Sequence, residues 1–246
     1  MGVVTDYMIM DHRVHTSVVF VSRSEGTPDF EAFRSGDYQL TPEEVDPAAV
    51  SSAAIVHAST FALSREPCRS AVEKAFRQAH EQNKIISLDP NYSPQIWPDL
   101  PEARDVLRDM LAYASITKPS LDDARRLLGD GMTPEAYIAA YHEMGPSLVV
   151  LTMGAQGFVL SEQGKLTHIP ARPIEVVDAT GAGDAFWAGF LIALLDGQPL
   201  GRCGLFAREI VERKLRTIGP LPESIDRHAI YRQLDAQSGV DAARIA

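Results

Sequence analysis

Apolar positions recur along the chain in two alternating rhythms. Residues 14–22 (Val-His-Thr-Ser-Val-Val-Phe-Val-Ser) are β-branched and aromatic, Ser24 to Pro28 supplies turn residues, and Phe30 to Phe33 follows, so a hairpin is predicted. Thr41-Pro42-Glu43-Glu44 combines an N-cap, a first-turn proline and a capping-box Glu, which predicts a short helix. Strand and helix patterns then take turns. Ala53 to His57 reads as a buried strand, Val72, Ala75, Phe76 and Ala79 recur at helical spacing, and Lys84 to Leu88 reads as the next strand. Ala114 to Thr117 is a further strand candidate, and Ser120 to the Gly129 stop is a capped helix. Thr133-Pro134-Glu135 opens a helix to about Met144, and Ser147 to Leu151 is strongly β-forming. Gly157 to Ser161 and Lys165 to Ile169 form a hairpin around Gly164. Ile174, Val176 and Val177 read as the end of a buried strand, and Phe186 to Leu195 as a helix apolar all round. Gly201 to Thr217 is a second helix, and residues 235–246 read as a frayed or loosely packed tail. This βαβ rhythm predicts an α/β domain with a mostly parallel central sheet flanked by helices.

Composition narrows the classes. The chain has 246 residues, 45% hydrophobic and 23% charged, which suits one large globular domain spanning 1–246. A net charge of -10 argues against a nucleic-acid or anionic-membrane surface, and Arg125-Arg126 and Arg213-Lys214 read as solvated helix faces. Cys68 and Cys203 are the two cysteines, without metal spacing or a disulfide framework, so a reducing cytoplasm is expected. Asp6, Asp11, His12 and Arg13 interrupt any leader-like apolar run near the start, and Phe186 to Leu195 is too short to span a bilayer.

Chemistry concentrates where the apolar run at Val177 gives way to small residues. Gly181 and Gly183 allow tight turning with positive φ, so that backbone N–H groups at a helix start converge on an anion, with the Asp184 carboxylate beside them. A second reading stays open: Asp184 as a dipole-friendly first-turn residue and the glycines as close-packing positions. Ser59 and Thr60 follow a strand end, where open α/β sheets place ligand contacts, though hydroxyls there also cap the next element.

Asp178-Ala-Thr180-Gly-Ala-Gly-Asp184, followed by Phe-x-Ala-Gly-Phe, resembles the second signature of the PfkB (ribokinase-like) carbohydrate kinases. The resemblance implies that Gly181, Ala182 and Gly183 form an anion hole for the transferred phosphoryl group. Asp184 would take the proton of a sugar hydroxyl. Asp89-Pro-Asn91-Tyr-Ser93 through Trp97 is similar to an element whose Asn and Arg approach the phosphates; here Ser93 stands in the Arg position, and Lys118 is a candidate to supply the missing charge. Ser120-x-x-Asp123 stands where the family has Asn-x-x-Glu organising Mg²⁺ and its waters, and it reads equally well as an N-cap with dipole-friendly acids. Thr152, Gly154 and Gly157 resemble the nucleotide loop, Asp178 and Thr180 match positions near a monovalent cation such as K⁺, and Arg208 departs from the small polar residue that often lines the family's adenine site near there.

By the same resemblance, residues 14–34 are a small β lid over the sugar and a homodimer contact. The match covers the later part of the family, so its N-terminal strands, with a Gly-Gly-x-x-x-Asn sugar grip, are expected to be missing. The function implied is ATP- and Mg²⁺-dependent phosphorylation of a sugar or ketosugar acid, fructose-like or 2-keto-3-deoxygluconate-like. The rival is a nucleotide- or sugar-binding remnant without catalysis; vitamin or nucleoside kinase chemistry is a third reading.

Overall fold

The computed structural model describes residues 4–21, 30–221 and 225–245, with side chains to residue 236. Strands β1 (Val18–Val21) and β2 (Phe30–Phe33) form a two-stranded sheet where the lid hairpin is expected; its turn, Ser24 to Pro28, lies outside the described residues. The Thr41 segment forms a 3₁₀ turn, Pro42–Glu44, and Glu44 reaches back to accept the Thr41 N–H at 2.9 Å.

Then follow α1 (Pro47–Ser52), β3 (Ile55–Ser59), α2 (Thr60–Leu63), α3 (Cys68–Glu81), β4 (Ile85–Asp89), α4 (Leu100–Leu111) and β5 (Ile116–Thr117). After them come α5 (Leu121–Leu128), α6 (Pro134–Glu143), β6 (Leu148–Thr152), β7 (Phe158–Glu162) and β8 (Lys165–Ile169). The strand order β3-β4-β5-β6-β7-β8 makes a six-stranded mixed sheet in an α/β arrangement. Pairings β3–β4, β4–β5 and β5–β6 are parallel, as expected of strands joined by helical crossovers. The turn Gln163-Gly164, with φ of 49° and 86°, closes the β7–β8 hairpin.

The chain ends in α7 (Ala182–Leu195), α8 (Leu200–Leu215) and α9 (Arg227–Ile245). Three expectations change here. Residues 235–245 do not fray but continue the helical backbone of α9, which Asp226 caps by accepting the Ala229 N–H at 3.0 Å and whose earlier turns bury Ile230, Tyr231 and Leu234. The segment around Val176 and Val177 is exposed and not a strand; the Val177 N–H bonds the Leu215 carbonyl at the end of α8, which takes the place of a sheet ladder. Helix α7, apolar all round in sequence, buries Phe186, Trp187, Phe190 and Ala193 but exposes Ile192 and Leu195.

The chain divides into two compact units. One comprises Met1–Phe20, Phe30–Met153 and Ser161–Leu166, the other Val21–Asp29, Gly154–Leu160 and Thr167–Ala246. Among the described residues no helix is long and apolar enough to cross a membrane.

Candidate active site

In the first unit, parallel pairing brings the carboxyl ends of β3, β4, β5 and β6 to one edge, where such sheets hold ligands. Ser59 lies in register with Asp89, Lys118 directly follows β5, and Ser120 is bridged to Thr152. Register therefore collects Ser59, Asp89, Lys118, Ser120 and Thr152 on one rim. Asp89 and Lys118 form a buried ion pair at 3.1 Å. The Thr60 hydroxyl donates to the Asp89 carbonyl at 3.3 Å, so it braces the rim.

Asp123 is built into this rim through the cap of α5. Its Oδ2 accepts from Ser120 N–H at 3.0 Å and from Ser120 Oγ at 2.5 Å, while Oδ1 accepts from Tyr92 N–H at 3.0 Å. Burial, and then the neighbouring Asp89 charge, push its carboxyl above the usual carboxylate range. The cap thus fixes the loop after β4 against α5. Asn91 is exposed in that loop, and its N–H donates to Asp89 Oδ1 at 3.2 Å. Ser93 caps a turn by accepting the Gln95 N–H at 3.3 Å.

In the second unit, Gly181 is the N-cap of α7 and takes a left-handed conformation with φ 73°. Only glycine adopts this readily. It starts the helix so that Gly183 and Asp184 fall in the first turn, among the N–H groups that no carbonyl of the helix can reach. The Ala182 N–H, by contrast, donates to the Ala179 carbonyl at 3.1 Å. Gly183 and Asp184 are exposed. The positive end of the helix dipole adds its field at the same point.

Directly behind this turn lies a group that the sequence places on a solvated face. Lys214 is 6% exposed, not solvated: its Nζ stands 3.6 Å from Asp178 Oδ2 and donates to the Thr217 carbonyl at 3.3 Å. A side chain in the last turn of a helix beside Arg213 reads as surface, and no local signal announces an acid 36 residues earlier. Asp178 also accepts the Thr180 N–H at 2.9 Å. That backbone bond, the Thr180 hydroxyl and the Lys214 charge hold its carboxyl down to about 2.

Gly154 begins a 3₁₀ turn with φ 54°, and Gly157 closes it with φ 90°. Thr152 ends β6 in the first unit, while Gly154 and Gly157 belong to the second. Arg172 is clamped by Glu209 and Glu212, with Nη2 to Glu212 Oε2 at 2.6 Å, and Arg208 donates to the Pro170 carbonyl at 3.2 Å. Among the described residues no group of three or more His, Cys, Asp or Glu is placed to hold a metal ion.

A family profile described as "pfkB family carbohydrate kinase" matches residues 1–212. The ATP-dependent 6-phosphofructokinase of Thermoanaerobacterium thermosaccharolyticum is 33% identical over 89% of this chain and 68% of its own length. A fructokinase of Klebsiella pneumoniae is 34% identical over 77% of this chain and 62% of its own. The chain therefore spans roughly two thirds of these relatives. A crystal structure of a double-mutant fructokinase from Vibrio cholerae O395, in a form bound to fructose, ADP and a potassium ion, has the same fold. It superposes with a TM-score of 0.81 at 23% identity, over 92% of this chain and 75% of that one.

Proposed function

Since the chain belongs to the pfkB family of carbohydrate kinases, we propose that it transfers the terminal phosphoryl group of ATP to a hydroxyl of a ketose or ketosugar acid, fructose-like in the first instance. One observation carries this reading: the left-handed Gly181 starts α7 so that an exposed carboxylate, Asp184, shares its first turn with unpaired helix N–H groups. A base and an anion site side by side suit an alcohol attacking a phosphoryl group.

In this reading Asp184 accepts the proton of the attacking hydroxyl, and the N–H groups at Gly183 and Asp184 meet the charge of the transferring group. Gly181 and Ala182 shape that turn. Thr152, Gly154 and Gly157 form the nucleotide loop, Asn91 and Ser120 face the phosphates, and Ser59 contacts the sugar. Lys118 already neutralises Asp89, so its charge is shared between that partner and any phosphate. Both Asp123 oxygens already accept hydrogen bonds, Oδ2 from Ser120 in the α5 cap and Oδ1 from the Tyr92 N–H, so this residue suits Mg²⁺ carried in with ATP only through intervening water. The ion would supply neutralisation of phosphate charge.

An assay of ADP release over a panel of ketoses and ketosugar acids tests the reading. Asp184→Asn should lower turnover by about 10²–10⁴-fold while nucleotide affinity, read by calorimetry, stays near that of the parent. Wild-type turnover in that variant would remove Asp184 from the role. A binding remnant without catalysis is the second reading, favoured by Ser93 in place of a guanidinium and by the Lys118–Asp89 pair. Nucleotide binding without ADP release by the parent chain would select it. The β1–β2 sheet is proposed as a lid that pairs with the same sheet of a second copy.

A further inference from the structure

We propose that the Lys214 ammonium is a built-in cation behind the α7 anion-binding turn, making this chain independent of a monovalent metal ion. The proposal rests on the phosphoryl-transfer reading above and gives that site a positioning residue that is part of the chain.

The argument begins with the oxygens. A monovalent ion near Asp178 and Thr180 would need a carboxylate and backbone carbonyls facing one point. Here the Asp178 carboxylate and the Thr217 carbonyl already face a single point, and Nζ of Lys214 is at it, 3.6 Å and 3.3 Å away. A compact ammonium with three donors matches such an oxygen set. The residues present therefore do not fit a metal ion, because a second unit charge a few ångströms from Nζ would be repelled by it.

The position is fixed by backbone as well as by charge. Val177 and Asp178 N–H groups both bond the Leu215 carbonyl, at 2.8 and 3.2 Å, and the Thr217 N–H bonds the Lys214 carbonyl at 3.0 Å. The end of α8 and the approach to α7 are thus laced together around the lysine. Its stem passes beneath the turn: a Cβ added to Gly181 would lie 3.8 Å from Lys214 Cε and 4.0 Å from Asp184 Oδ2. A positive charge there adds to the helix dipole and favours an anion at Gly183 and Asp184. An ion pair that only closed the end of α8 would lace the same segments together but confer no cation dependence when removed.

That difference is the test. The parent chain, Lys214→Met and the smaller, hydrophilic Lys214→Ser are compared in potassium chloride and in choline chloride at equal ionic strength. Melting temperature and MgATP affinity by calorimetry are read, neither of which needs turnover, and ADP release is read alongside. The parent should give the same values in both salts. The two variants should bind MgATP about fivefold or more weakly in choline, with recovery in potassium, in the ordinary range of coupling between two ligands. A parent whose melting temperature or affinity rises in potassium overturns the proposal. So do folded variants that stay indifferent to potassium. If neither variant folds, the parent comparison still decides. If the kinase reading itself is wrong, no protein releases ADP in either salt, yet the melting comparison still reports on the lysine.

Discussion

A Cβ on Gly157 would stand 2.2 Å from the Ile169 carbonyl oxygen, on a backbone with φ +90°. Backbone cannot rotate aside as a side chain can, so Gly157→Ala must shift β8 or the turn itself. Gly164→Ala has a similar φ of +86° but nothing within 4 Å, so it meets strain alone, about 1–2 kcal/mol. Urea denaturation should find the Gly157 variant the less stable of the two; equal losses would mean that the close approach carries no weight. Asp178 makes a pH prediction. Its folded carboxyl lies at about 2, below the ordinary 3.8, so its contribution is present above 3.8 and is lost as pH falls toward 2. Asp178→Asn should therefore be less stable than the parent at neutral pH, and the gap between their melting temperatures should close between about pH 4 and pH 2. Asp123 works with the opposite sign: burial raises its folded carboxyl, so its ionisation lowers stability as pH rises through the ordinary carboxylate range. Its hydrogen bonds still make it structural, and Asp123→Ala, leaving the Tyr92 and Ser120 donors unpaired, should cost about 1–3 kcal/mol in chemical denaturation.

Helices α7 and α8 meet through glycine. A Cβ at Gly189 would reach Ile210 Cγ1 at 2.9 Å and Ala207 Cα at 3.2 Å, and one at Gly204 would reach the Phe158 ring at 2.7 Å. Helix propensity alone favours Gly189→Ala by about 1 kcal/mol. Overpacking costs about 1–3 kcal/mol, so we expect net destabilisation and a lower melting temperature; a more stable variant would show that the pair of helices can separate cheaply. The same elements show what sequence discloses. The cap of α5 is legible because Ser120, Asp123 and Gly129 lie within one short stretch and each acts on its own neighbours. The α7 turn is legible for the same reason, since glycines and an acid are adjacent to the helix they start. Lys214 is not, because its burial depends on Asp178 and Thr217 and on where α8 ends. Val176 and Val177 mislead in the other direction: β-branched residues fit a strand, but pairing needs a neighbour, and their segment bonds to the end of α8.

Across the whole chain, the two-stranded sheet is poorly satisfied by its own surroundings among the described residues. Val18, Val19, Phe20 and Val21 are all exposed, Phe20 at 63%, and Phe33 is 56% exposed with its ring edge-on to Phe20 at 5.7 Å. A strand exposed on both faces offers one face to a ligand and one to a partner. A polar sugar cannot cover four apolar side chains, and an isolated two-stranded ribbon is marginal in water. A second copy supplies the same apolar strand in self-complementary fashion, which is how two-fold interfaces are built. Light scattering should therefore find a dimer whose population rises with concentration, and Phe20→Ser should shift it toward monomer with little change in melting temperature at low concentration, where the parent is itself monomeric. If dimerisation couples to the proposed lid role, the same substitution should weaken sugar affinity and leave MgATP affinity intact, because the residues proposed for the nucleotide loop, Thr152, Gly154 and Gly157, lie elsewhere in the chain. A parent that stays monomeric at every concentration would refute pairing through this sheet, and a Phe20→Ser dimer as tight as the parent would move the interface to another surface.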